Sequence, residues 1–424
     1  MYAFDFEVYR YDWLVVFKNI DNGDFEIIHN DNEKLENFMN RKPFLIGFNN
    51  KWYDNHILKA ILMGADNKRV KEINDIIIGG TSGYEIDWLR QNRAIWFDSM
   101  DMFDDVQQGL SLKAIEAHLG MDIEEASVPF DLNRPLTEAE LLSTIEYCKY
   151  DVNMVDKLID IRQDYISAKL MLARMKGLPE KQALYSTNAK LAAMFLKANR
   201  IEHNDEREYV FPDNLKMEFI PRDVLEFFLQ IYSPIPSNEL FSLKLDTLIA
   251  GVPTTYGFGG LHGSKEQYFE QATDKRVIQL ADVGSMYPSL MIEYSYSSRN
   301  IPSFDEFKEV YNTRMNAKRT GDKETDSALK LILNTKFGAM GNKYNNLYDP
   351  LQFRSVCITG QLLLTSLAIE LSQNCQTLEV LNLNTDGIMY SVDTSEFSKV
   401  ESICKGWEQN SRLNLEIVDI EKVY

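Results

Sequence analysis

A strand that begins almost at the first residue constrains the fold more than any other stretch. Residues 3–9 read AFDFEVY. Successive side chains of a strand point to opposite faces, so Asp5 and Glu7 share one face with Ala3 and Tyr9. Tyr2, Phe4, Phe6 and Val8 take the other face, which reads as the buried one. Two carboxylates about 7 Å apart on one strand face repel unless something positive lies between them. A solvated edge strand relieves that repulsion. A divalent-metal site relieves it as well, and it requires further oxygen ligands from elsewhere in the chain.

At 424 residues the chain exceeds one ordinary core, so two or three domains are expected. A hydrophobic content of 45% describes a folded chain, not a disordered one. There is no run of eighteen apolar residues and no signal-peptide pattern, so no membrane partner is expected and the expected location is the cytoplasm. Cys148, Cys357, Cys375 and Cys404 form no C-x-x-C pair, which argues for free thiols and against structural zinc. The net charge of −19 argues on its face against nucleic acid, because phosphate affinity comes from Lys and Arg. That objection weakens if the acids surround metal ions or the basic groups are concentrated locally.

Residues 1–28 read as a two-strand hairpin with an Asn22-Gly23 turn. FLIGFNN (44–50) reads as a strand leading to a helix with Ile57, Ile61 and Leu62 at helical spacing, and AIWFDSMDMF (94–103) as a further strand. SLKAIEAHLG (111–120) reads as a helix ended by Gly120, and residues 137–166 as one long helix opened by a Thr137–Glu140 capping box. This alternation suggests an α/β domain with a mixed sheet. Residues 166–250 are mostly helical, with a Pro-rich break at 233–236. A β-rich unit follows, then two helices over 304–346 joined by a polar tip, then a helix, a strand pair, a helix and a last strand.

Two further carboxylates are candidates to join Asp5 and Glu7. Asp54 opens a helix, where the macrodipole tolerates an anion. Asp151 lies on the long helix with Tyr147 one turn earlier on the same face. In order and spacing, D-x-E (Asp5, Glu7), N-x-x-x-D (Asn50, Asp54) and Y-x-x-x-D (Tyr147, Asp151) resemble the three motifs of the DEDD 3′–5′ exonucleases. Four carboxylates of this kind can hold two Mg²⁺ ions that bracket a phosphate and ionise the attacking water. The resemblance implies that Tyr147 orients that water. It implies a DNA contact for Asn50, with a structural side-chain cap as the competing reading.

DVGSMYPSL (282–290) is similar to motif A of the family B DNA polymerases, with Met286 in place of the usual leucine. The resemblance implies Asp282 and the Val283 carbonyl as metal ligands, the peptide groups of Ser285 and Met286 as a triphosphate cradle, and Tyr287 as the residue that excludes a 2′-hydroxyl. KLILNTKFGAMGN (330–342) resembles motif B. Lys330, Asn334 and Phe337 share one helix face, distinct from the face of Leu331 and Thr335. The resemblance places Lys330 on the triphosphate, with Asn334 also in the dNTP site, and Phe337 and Gly338 against the nascent base pair. Arg314 and Lys318 resemble a second cationic pair. Residues 311–346 hold seven Lys and Arg against three Asp and Glu, so basic charge is concentrated there. NLNTDGIMYSV (382–392) resembles motif C, usually D-T-D-S, and keeps its principal ligand as Asp386 while carrying Asn384 and Gly387. YGFGGLHG (256–263) sits where the family has an aromatic-Gly-Gly linker, which implies DNA contacts for Tyr256, Gly259 and Gly260. A Gly-rich bulge or turn is the competing reading.

Six ordered motifs thus resemble a compact, bacteriophage-type family B polymerase. That implies an α/β and α+β multidomain fold: an RNase H-like exonuclease domain (1–165), a mainly helical connection (166–250), a palm in two parts (251–303 and 347–424) and helical-hairpin fingers (304–346). The N-terminal domain of cellular relatives and the thumb are expected to be absent, with a separate thumb-bearing polypeptide as a possible partner. Implied ligands are two Mg²⁺ per site (Mn²⁺ able to substitute), dNTPs, primer-template and single-stranded DNA. The short spacing between motifs A and B argues against protein priming. A phage enzyme of this kind would work in the host bacterial cytoplasm. The competing expectations are a chain acting alone mainly as an exonuclease, and a non-catalytic scaffold.

Overall fold

The computed structural model describes residues 1–92, 95, 97–105 and 110–424. These form two compact units, residues 1–191 with 322–328 and residues 192–321 with 329–424.

The first unit is built on five strands: β1 (Tyr2–Val8), β2 (Trp13–Asn19), β3 (Phe25–His29), β4 (Leu45–Gly47) and β5 (Ser99–Asp101). Their order is β3-β2-β1-β4-β5, antiparallel across the first three and parallel from β1 to β4 to β5. The opening segment is therefore a three-strand meander, one strand more than the hairpin expected from its turn. On one face Phe4, Phe6, Trp13, Val15 and Phe17 pack against Phe38, Ile57 and Ile61. Phe17 and Phe38 stack with centroids 4.1 Å apart. Truncating a ring in this cluster to alanine is expected to cost about 3–5 kcal/mol.

The opposite face of β1 is covered too, which corrects the one-sided reading. Ala3, Glu7 and Tyr9 are buried beneath the helix Glu138–Ile161, which packs Cys148, Val152, Val155 and Leu158 inward. Thr137 caps that helix with a complete capping box. It ends earlier than expected: Arg162 leaves helical geometry at φ −107°, ψ 29°, and a separate helix, Gln163–Lys176, follows. Two other strands are also shorter than expected. β4 stops where Asn49 takes φ +60° and its N–H reaches Asp101 Oδ1 at 2.7 Å. β5 spans three residues, and Ala94 and Trp96 of the expected strand lie outside the described residues.

The second unit holds β6 (Lys244–Ile249), β7 (Val252–Gly257), β8 (Leu261–Ser264), β9 (Glu270–Gln271), β10 (Arg276–Val283), β11 (Glu379–Leu383), β12 (Gly387–Asp393), β13 (Leu415–Ile420) and β14 (Lys422–Val423). Seven of them make one sheet ordered β13-β10-β12-β11-β8-β7-β6, while β9 pairs with β14. The helix Pro350–Asn374 lies against this sheet. It is long and apolar enough to cross a membrane, yet 83% of its apolar window is buried within the fold, as expected of a core helix. Trp407 Nε1 donates to its Leu363 carbonyl at 2.9 Å.

Two helices, Phe304–Thr320 and Lys323–Met340, meet at Gly321, whose φ of +76° suits a residue without a Cβ. In the second helix the core face is Leu329, Ile332, Leu333, Lys336 and Met340, not the Leu331 and Thr335 face. Lys336 disguised it: its stem is buried, its ammonium lies 3.1 Å from the Phe307 centroid, and it donates to Ser297 Oγ.

Candidate active sites

In the first unit the carboxylates converge on β1. Asp54, at the first turn of the helix Asp54–Leu62, accepts a 3.1 Å hydrogen bond from the Phe6 N–H between Asp5 and Glu7. Asp151 projects from the helix Glu138–Ile161, and its Oδ1 is buried without a hydrogen-bond partner. Glu7 is 6% exposed, and no hydrogen bond or ion pair reaches its carboxylate among the described residues. Burial, then the mutual repulsion of Asp54, Glu7 and Asp151, holds the Asp5 carboxyl well above the usual range. Glu7 is raised by burial and then by Asp151 and Asp54. Burial pushes Asp54 up to about 7, and Asp151 is raised chiefly by burial. Such a group of acids is costly without a counter-charge, and a divalent cation supplies one.

A cleft of about 690 Å³ opens onto Asp5, Asp54 and Asp151 between apolar walls that include Phe48, Trp52, Ile77 and Phe103. The Tyr147 hydroxyl neighbours Asp151 and lowers its carboxyl. Three neighbours escaped the sequence reading. The Lys113 ammonium lies 4.9 Å from the Tyr147 centroid and lowers both Glu7 and Asp151. Glu116 is fully enclosed near Asp151 with neither oxygen partnered. Cys148 Sγ approaches Asp5 Oδ2 at 3.8 Å. The first two lie in SLKAIEAHLG, whose signal was one lysine and one acid on a short helix. Asn50 is not brought to the cleft: it is fully buried, and its amide donates to Ser99 Oγ at 2.9 Å and Asn55 Oδ1 at 3.1 Å. That arrangement fits the competing structural reading.

The second unit gathers a separate set of acids. Asp282 is the penultimate residue of β10, opposite Gly387 of β12 and Glu416 of β13, and the Val283 N–H donates to the Asp386 carbonyl at 2.8 Å. Burial, then Asp386 and Glu416, pushes the Asp282 carboxyl up to about 6. Glu416 was not singled out from the sequence, where its only signal was an acid in an otherwise alternating last strand. It pairs with Lys318 at 2.8 Å.

Ser285 adopts φ +50° at the start of the helix Met286–Glu293, a strained turn for a residue with a Cβ. Arg314 is buried there and donates to Ser285 Oγ at 3.0 Å, so it braces the turn instead of presenting a free cation. Met286 is accommodated because Gly360 opposite it has no side chain; a Cβ there would stand 2.5 Å from Met286 Cε. Tyr287 stacks on Phe337 at 3.8 Å, and Phe337 on Phe353 at 4.8 Å. Lys330, Asn334 and Gly338 form an exposed face of the helix Lys323–Met340. Tyr256 differs from its expected place at the DNA: it is buried, with its hydroxyl 2.6 Å from Thr365 Oγ1. Gly259 and Gly260 make the β7–β8 turn, and Gly260 lies so near Thr385 that a Cβ would approach its Oγ1 at 3.1 Å.

No protein-family model and no curated protein matches the chain. Among solved structures it is similar to the family B DNA polymerase of the hyperthermophilic archaeon Pyrobaculum calidifontis. The TM-score is 0.52 at 15% identity, over 99% of this chain and 56% of that one. The fold resembles that of a family B DNA polymerase. At this identity the likeness concerns the fold, and the chain spans just over half the length of that neighbour.

Proposed function

We propose that the chain is a DNA-directed DNA polymerase of bacteriophage type with a 3′–5′ proofreading exonuclease, acting in phage DNA replication within the host bacterial cytoplasm. The observation that carries this reading is the presence of two separate carboxylate sets in a fold similar to a family B polymerase: one around Asp5, with acids raised by burial and by one another, and one around a half-buried Asp282, raised by burial and by its neighbours Asp386 and Glu416. The strand order of the first sheet is compatible with an RNase H-like exonuclease domain, and the second sheet with a palm carrying a helical-hairpin fingers insertion.

Both donor sets fit divalent cations by their oxygen chemistry. Two Mg²⁺ (or Mn²⁺) at each would supply an ionised nucleophile and neutralise charge developing on the phosphate. The residues do the rest. In the exonuclease, Asp5, Glu7, Asp54 and Asp151 would hold the ions, and the Tyr147 hydroxyl would orient the attacking water at the bottom of the cleft. In the palm, Asp282, Asp386 and the Val283 carbonyl would hold them. Lys330 and Asn334, with the backbone at Ser285 and Met286, would receive the dNTP triphosphate, while Tyr287, Phe337 and Gly338 would pack against the sugar and the nascent pair. Lys318 would reach the phosphates by leaving Glu416, and Arg314 would act through the Ser285 turn.

The test is primer extension beside digestion of single-stranded DNA. Asp5→Ala with Glu7→Ala is expected to abolish digestion and spare extension, and Asp386→Asn to do the reverse. Digestion undiminished in the double variant would remove the exonuclease assignment. In a second reading, synthesis by this chain needs a thumb-bearing polypeptide as partner. Wild-type chain that digests but does not extend with Mg²⁺ and four dNTPs would select it.

A further inference from the structure

The helix Glu138–Ile161 places a thiol among the acids of the first unit. Cys148 is fully buried, one residue after Tyr147 and on the face turned toward β1. Its Sγ donates to the Asp5 carbonyl at 3.5 Å and lies 3.8 Å from Asp5 Oδ2. One ligand atom each from Asp5, Glu7 and Cys148 lie within 4.8 Å of one another. A tetrahedral ion with bonds of 2.0–2.3 Å holds its ligands about 3.5 Å apart, so a small inward movement closes the set.

A cysteine beside acids would carry nothing alone. The independent observation is Glu7, more than nine-tenths buried, aimed into the same space and without a hydrogen bond or ion pair among the described residues. The orphaned Oδ1 of Asp151, named by the same motif, adds a further acceptor. Mg²⁺ is hard and takes oxygen, so it gains nothing from sulfur; Zn²⁺ and Cd²⁺ do.

We propose that Cys148, with Asp5 and Glu7, forms a site for one thiophilic divalent cation of the Zn²⁺ class, which competes with Mg²⁺ for the exonuclease centre and stops its hydrolysis. The Sγ–H bond breaks as the metal–sulfur bond forms; the thiol proton goes to solvent, the sulfur keeps the electron pair, and no redox change occurs. The competition with Mg²⁺ rests on the exonuclease reading above, whereas the metal–sulfur bond does not.

The probe is Cd²⁺ titrated into the metal-free full chain, followed by thiolate-to-metal charge-transfer absorption. One equivalent is expected to develop the band, and excess Mg²⁺ to weaken it. Cys148→Ser is expected to abolish the band and weaken Cd²⁺ binding about tenfold or more. Cys148→Ala, checked for native circular dichroism, is expected to behave alike, and the triple Cys357→Ser, Cys375→Ser, Cys404→Ser variant to keep the band. No band in wild type, or a band surviving Cys148→Ser, overturns the proposal. Digestion of single-stranded DNA by the same wild-type sample with Mg²⁺ separates the two failures: digestion without a band removes only the thiophilic site, and a band without digestion removes only the exonuclease.

Discussion

Asp282 faces Gly387 across the β10–β12 ladder, and a Cβ on residue 387 would stand 3.0 Å from Asp282 Oδ1 and 3.1 Å from the Ala281 carbonyl. The segment that resembles motif C differs from the family pattern at this residue, and the contact gives the difference a local consequence. Without a side chain at 387 the Asp282 carboxylate can lie against the neighbouring strand. Gly387→Ala is expected to rotate that carboxylate and slow single-nucleotide insertion about tenfold, which corresponds to about 1.4 kcal/mol in the barrier. Digestion by the first unit should be unchanged. Insertion at the wild-type rate would show that Asp282 tolerates the rotation.

The Tyr287–Phe337–Phe353 stack gives a second prediction. The Tyr287 ring lies 17° from parallel to Phe337, so ring–ring contact sets its position, and Tyr287→Phe preserves that contact. Tyr287→Ala removes it, with a loss of about 0.5–1.5 kcal/mol from the stack beyond the lost apolar area. If Tyr287 lies beneath the incoming sugar, the alanine variant admits ribonucleotides and the phenylalanine variant excludes them. Competition between rNTP and dNTP at one template position measures this, and equal exclusion by both variants would remove the steric role.

The acids of the first unit make its stability depend on pH and metal together. Burial raises Asp5, Glu7, Asp54 and Asp151, so between about 4 and about 7, the span set by Asp54, the folded chain holds more protons than the unfolded one. Metal-free stability therefore falls as pH rises through this window, by on the order of a few kcal/mol. A bound divalent cation favours the ionised forms and reverses the trend. Mg²⁺ is expected to raise the melting temperature little at pH 5 and much more at pH 8. Scanning calorimetry with Mg²⁺ and with EDTA measures it; an equal shift at both pH values would contradict the ligand set.

Much of this architecture is written in local patterns. The aromatic alternation of β1 and the Thr137 capping box are short-range signals, and both elements stand where they place them. Residues whose role depends on distant partners were not legible. Glu416 becomes a neighbour of Asp282 only through antiparallel pairing of β13 with β10. Cys148 and Lys113 gain meaning from packing around β1. Lys336 is a charged residue enclosed by Phe307, while Tyr256, expected at the DNA, anchors the core through Thr365. Alternation along β1 indicated one buried face, since sequence periodicity cannot show that a helix covers the other.

Lys169 offers a last prediction, independent of catalysis. Its side chain is fully buried, and its ammonium donates to the carbonyls of Leu184 at 3.2 Å and Ser186 at 2.7 Å, at the end of the helix Glu180–Tyr185. Burial lowers its pKa from 10.5 to about 8. Between those values the unfolded chain keeps a proton that the folded chain has released, so the Lys169 contribution rises with pH across this window and is smallest below it. The rise amounts to about 3 kcal/mol. Lys169→Met fills a similar volume but leaves two carbonyls without their donor, which costs about 1–3 kcal/mol. The stability gap between wild type and Lys169→Met is therefore expected to widen from pH 7 to pH 10. Urea unfolding of both proteins at a series of pH values reads the gap directly, and a constant gap would mean that Lys169 keeps an ordinary lysine's proton in the folded chain.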